Sequence, residues 1–228
     1  MTMEEDMRLV QEGVLSRLGL MAFEHRRTQP VDFLLRLLKA GSWRQRVEAI
    51  RALDFQQQQG THAVPMLPIV PLCRDAFPYV RAAALDLLGR YQDQGLRPLF
   101  VQGCADPHWM VRYAGVRGLS RQEDVQAENV CHLLGDIDAT VRTGAVMTLQ
   151  RVGLVHEVLV ALLWMLHDEE VRVRLAAIEA LTGIVRDEYA AGHAAVISAF
   201  TDLLDDEQEP IRQMVHQIFR DHEYYREE

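Results

Sequence analysis

Lysine is almost missing from this chain: 23 of its 24 basic side chains are arginine, and the exception is Lys39. The net charge is −9, so the broad positive field that general phosphate binding needs is missing too, and nucleic acid is a disfavoured partner. Cysteine is scarce. Cys73, Cys104 and Cys131 are odd in number and lack paired spacing, which excludes a disulfide framework and makes the cytoplasm the expected location. Long apolar runs are lacking as well. The longest, Val158–Leu166, falls far short of the roughly 20 residues of a membrane helix, so no membrane partner is expected. The acidic opening Met-Thr-Met-Glu-Glu-Asp contains nothing like a secretory signal. Neither a glycine-rich phosphate loop nor a nucleophile elbow occurs, and no carboxylate pair recurs. We therefore expect no catalytic residues, no cofactor and no metal.

What the sequence does contain is a period. Six arginines form a reference column: Arg46, Arg81, Arg112, Arg142, Arg174 and Arg212. One place before each stands Gln45, Val80, Val111, Val141, Val173 or Ile211. Three places after stands Ala49, Ala84, Gly115, Ala145, Ala177 or Val215, and seven places after stands Leu53, Leu88, Leu119, Leu149, Leu181 or Phe219. These offsets step by four, so they mark one buried stripe along a helix. Twelve places before each arginine stands Leu34, Ile69, Phe100, Val130, Leu162 or Phe200, and eight before stands Leu38, Cys73, Cys104, Leu134, Leu166 or Leu204. They mark a second stripe on a preceding helix. Six places before the arginine comes Asp75, Asp106, Asp136, Asp168 or Asp206, with Ala40 in the first copy.

The pattern D-x-x-x-x-V-R-x-x-A-x-x-x-L resembles the HEAT repeat, in particular the short bacterial form also found in phycobilin lyases. The resemblance implies an all-α solenoid of about six helical hairpins. One hairpin cannot bury both of its stripes, and stacking its neighbours does so. The expected organisation is a single domain over 1–228: a capping helix and linker in 1–29, six repeats in 30–222 and an acidic tail in 223–228. Residues 3–20, with Met7, Val10, Val14 and Leu18 on one side, supply that cap.

Two departures carry local expectations. Pro65, Pro68 and Pro71 lie where the first helix of the second hairpin belongs, so that helix should be short, kinked or begin near Pro68. The wide spacing before Arg212 implies a longer connection or helix around Arg186–His193. The aspartate and arginine columns read as scaffold. Arginine in a first helical turn opposes the helix dipole, and the aspartate six residues earlier, with the carbonyl end of the first helix, is its expected compensation.

A HEAT-like hydroxylase family binds two irons through His-Glu pairs directly after the arginine. This chain has Ala82, Tyr113, Thr143, Leu175 and Gln213 there, and its pairs His156-Glu157 and His222-Glu223 lie elsewhere. The iron reading fails. Candidate function falls instead on the columns one, five and nine after the arginine, which should face outward on the second helices. The resemblance implies that these line a concave groove. Its candidate binding residues are Arg51, Arg90, Trp109, Tyr113, Arg117, Arg121, Met147 and Arg151. Residues 1–120 carry 15 basic and 12 acidic side chains, whereas 121–228 carry 9 and 21. The expected function is a non-catalytic scaffold that binds a protein partner through an acidic or extended segment. The alternatives are a nucleic-acid-binding HEAT-like protein, as in the HEAT-like glycosylases, and a bilin-lyase-like enzyme subunit.

Overall fold

A computed structural model describes residues 28–60, 63–152, 156–186 and 189–222. The expected capping helix and the acidic tail lie outside the described residues. Every regular element among those described is helical, and they fall into two compact units, with the chain dividing between Arg121 and Gln122.

The first unit holds α1 (Val31–Ala40), α2 (Trp43–Gln58), a 3-10 segment Val70–Arg74, α3 (Pro78–Leu88), α4 (Arg97–Cys104) and α5 (Trp109–Ser120). Its three hairpins stack so that α2 packs on α3 and α3 on α5. A capping box starts α2: the Ser42 hydroxyl accepts from the Gln45 amide, and the Gln45 side chain accepts from the Ser42 amide. Proline opens α3, where its missing amide costs nothing.

The second unit holds 3-10 segments Ala127–Asn129 and Cys131–Gly135, α6 (Ala139–Val152), α7 (His156–Met165), α8 (Val171–Val185), α9 (His193–Asp202), a 3-10 turn Leu203–Asp205 and α10 (Glu209–Asp221). Here α6 packs on α8 and α8 on α10. In both units the second helices of successive hairpins lie side by side.

The core sits on the columns. The positions twelve before, three after and seven after the arginine are buried in all six copies, as are five of the six just before it, Gln45 excepted. Each fully buried leucine, valine or phenylalanine contributes about 1.5–3 kcal/mol. The small residue at the third position sets the spacing of the helices. A Cβ on Gly115 would stand 2.7 Å from the Cys104 amide nitrogen, so only glycine lets α4 and α5 touch there.

The proline-rich stretch keeps only the 3-10 segment Val70–Arg74, a stronger effect than a kink. The fourth hairpin shows the same replacement without any proline: Val130 and Leu134 are buried by 3-10 turns where the stripe predicts an α-helix. Near the C-terminal end, the turn Leu203–Asp205 buries Leu203 and leaves Leu204 half-exposed, shifting the stripe by one residue. The wide spacing before Arg212 includes a turn that reaches α9 through Gly192, whose φ of +84° suits glycine.

Candidate functional site

Two arginine columns differ in what they do. In the reference column each guanidinium folds back onto its own turn. Arg46 donates to the Gly41 carbonyl, and Arg81, Arg112, Arg142, Arg174 and Arg212 donate to the carbonyls of Asp75, Asp106, Asp136, Asp168 and Asp206. This answers the unsatisfied carbonyls at the end of the first helix. The carboxylate partner is not the aspartate six residues earlier, as the spacing suggests. Within each unit it is the aspartate of the following hairpin. Arg81 grips Asp106 through two hydrogen bonds of 2.7 and 2.8 Å, and Arg142 grips Asp168 through two of 2.8 Å. Arg46–Asp75 and Arg174–Asp206 repeat the link. Each of these aspartates also accepts from the amide two residues on, which bends the chain into the second helix. Arg142 and Asp168 are the most buried pair, with 8% and 6% of their side chains exposed, and the Asp168 hydrogen bond holds the Arg142 guanidinium above its ordinary pKa.

The outward columns of the first unit form the candidate site. Arg51 is exposed and makes no ion pair among the described residues. Arg90 donates to both oxygens of Asp54, at 2.9 and 3.3 Å. Arg117 lies over the Tyr113 ring at 5.7 Å and reaches an Asp86 oxygen at 3.3 Å. Arg121 donates to the Asp86 backbone carbonyl at 3.2 Å. Burial, then Arg117 and Arg90, lowers the Arg121 pKa. The Asp86 carboxyl is pushed up by burial; Arg117 and Arg121 pull it down, Asp54 adds to the rise and Arg90 opposes it. Positive charge is therefore crowded, with three arginines around two aspartates.

Five predicted residues thus lie in one unit: Arg90, Arg117 and Arg121 on Asp54 or Asp86, Tyr113 beneath Arg117, and Arg51 on the column of Arg117. Trp109 is half-exposed but belongs to another feature, stacked on His108 at the turn edge. Met147 and Arg151 are exposed on α6 in the second unit. The first outward column is corrected in part: Val47 and Ala82 are buried, because that position already turns toward the neighbouring helix.

Sequence reasoning missed Asp54, which lies one place before the outward column, and it did not pair Asp86 with its arginines. The available signal was acids and arginines alternating between neighbouring copies of one helix face. An aromatic strip at the turns was missed as well: Trp43 stacks on Phe77 and on Tyr79, each at 5.6 Å, and Tyr79 meets His108 at 6.1 Å. In the second unit, Val160, Leu163, Trp164 and His167 line an open hollow of about 250 Å³, with Trp164 69% exposed. Cys73 and Cys104 act as small core residues, and burial pushes both thiols to about 12. Among the described residues no three His, Cys, Asp or Glu side chains are grouped to hold a metal, and no helix is long and apolar enough to cross a membrane.

The sequence profile of the HEAT repeats matches residues 66–150 and 127–217. The chain belongs to the HEAT-repeat family, with an all-α solenoid fold. No curated protein matches it. Among solved structures it is similar to YibA of Escherichia coli, at 17% identity over 86% of this chain and 72% of that one, with a TM-score of 0.63. It is similar to a designed armadillo repeat protein in complex with the peptide (KR)4, at 16% identity over 84% and 99%, TM-score 0.63. A third likeness, at 17% identity over 83% of this chain and 30% of the other, TM-score 0.52, is to a Kap95p structure with RanGDP. These show the fold.

Proposed function

We propose that this protein is a non-catalytic cytoplasmic scaffold that holds an acidic, extended protein segment along the second-helix face of its first unit. The convergence of Arg90, Arg117 and Arg121 with Tyr113 around only two carboxylates carries the reading. A surplus of guanidinium beside an aromatic ring suits carboxylate pairing and side-chain packing together. The designed armadillo neighbour, in complex with the basic peptide (KR)4, supports peptide binding by a stack of this fold, and the charge of the partner is read from this chain's own arginines.

The test is a titration of a fluorescently labelled deca-glutamate peptide at low salt, with an oligothymidylate of equal length as competitor. Charge reversal of both Arg117 and Arg121 to Glu should weaken peptide binding at least about tenfold, since it replaces attraction by repulsion at the centre of the patch. Equal affinities of wild type and variant sink the proposal. An oligothymidylate that binds more tightly than the peptide hands the face to nucleic acid instead.

A further inference from the structure

The second-helix face contains an acid in an odd position. Asp86 occupies the column that carries Arg51 and Arg117 in the hairpins on either side. A surface built only to attract acids has no use for a carboxylate there. As a structural pair it is also poorly made. At 3.3 Å from Arg117 Nη1 the contact is an ion pair, but its angle does not make a hydrogen bond, and the Asp86 Oδ1 atom is sheltered from solvent with no donor. Arg121 takes the Asp86 backbone carbonyl and not its carboxylate. The neighbouring rung is different: Asp54 receives two bonds from Arg90 and a third from Gln58 at 2.8 Å. The turn ladder is tighter still.

We propose that the Asp86 carboxylate is a built-in stand-in for the partner's carboxylate, one that holds Arg117 in the free protein, beside Arg121 on the Asp86 carbonyl, and yields Arg117 to the acidic segment on binding. This rests on the reading of the face as an acid-binding surface. Three features make the exchange feasible. The Arg117 and Asp86 side chains are 39% and 36% exposed, so departure of Arg117 opens the sheltered Asp86 oxygen to water. Arg117 keeps its place over Tyr113 whichever carboxylate it meets. Arg121 keeps its bond to the Asp86 carbonyl. Burial, the first cause of the raised Asp86 pKa and of the lowered Arg121 pKa, supports the same picture of loosely satisfied charge. Asp86 then sets specificity: an isolated weak acid does not displace it, whereas a segment that places several carboxylates along the face does.

The experiment compares deca-glutamate binding by wild type, Asp86→Asn and Asp32→Asn, all at one salt concentration. Asp32 is exposed on α1, so its substitution adds the same unit of charge on a first helix. Asp86→Asn should tighten binding about two- to fivefold, the range expected when a half-exposed competing ion pair is removed, and Asp32→Asn by less than about 1.5-fold. Asp86→Gln, a second neutral variant, serves if the Asn protein does not fold. If wild type binds and neutral position 86 binds no better than Asp32→Asn, the stand-in role is overturned and the binding face stands. If neither wild type nor the neutral variants bind, both readings fall.

Discussion

The turn ladder and the outward face are both built from arginine and aspartate at matching places in successive hairpins, yet they are held very differently. Arg142 in the ladder spends its donors on two carboxylate oxygens, two turn carbonyls and Glu169. Arg117 on the outward face has one 3.3 Å contact and a ring. The difference follows from burial and geometry. At the turn, carbonyls at a helix end and a carboxylate from the next hairpin converge on one planar fork. On the outward face, side chains from parallel helices meet across solvent, where an ion pair is worth little. The same residue types are thus mortar in one column and available surface in the other.

Removing Arg142 should break the comparison most sharply. Arg142→Ala leaves the buried Asp168 carboxylate without its guanidinium, and should cost about 3–5 kcal/mol, read as a lowered urea midpoint. A loss under about 1 kcal/mol would mean the ladder is no more structural than the face. Arg174→Ala sharpens the contrast from within the ladder. Its link to Asp206 is a single 3.1 Å bond and its Nε is buried without a partner, so its cost should lie clearly below that of Arg142→Ala. On the outward face, Arg90→Ala should cost less than about 1 kcal/mol, and that small loss should fade in high salt.

The smallest effect is a pH dependence at Asp86. Its carboxyl is raised in the fold, so the folded protein binds that proton more readily than the unfolded chain. The group's contribution therefore turns more favourable as pH falls through its folded value, and the gain is complete below the ordinary carboxylate range. Asp86→Asn should be slightly more stable than wild type at neutral pH, and the gap should close on acidification toward about pH 4. A gap that widens would reverse the sign assigned to this site.

The repeat was legible where it rests on burial, because burial writes a four-step period into the second helices. Leu53, Leu88, Leu119, Leu149 and Leu181 needed no structure to be placed in the core. The proline effect was legible for the same local reason. The 3-10 form of Val130–Leu134 was not, since its stripe is as apolar as any other and no breaker marks it. Nor was the true partner of Asp106. Sequence distance favoured Arg112, whereas the stacking of hairpins brings Arg81 to it. Arg117 and Arg121 could be placed on the outward face by spacing, but their neighbour Asp86 could not be weighed until side chains had positions.

The offset of the ladder has a consequence for how the chain is assembled. In all four links within the units the guanidinium reaches forward and the carboxylate is reached from behind, so a hairpin there has a socket on one side and a plug on the other. The first described hairpin has Ala40 where its successors have aspartate, so it offers no carboxylate at that place. At the far end, Arg212 meets only the carbonyls of Asp206 and Glu207 among the described residues. The array is therefore directional. A whole period can be inserted or removed inside a unit with every plug still finding a socket, whereas a module joined in reverse would set guanidinium against guanidinium. Duplication of a hairpin inside a unit therefore has to keep this polarity as well as the fit of the apolar stripes.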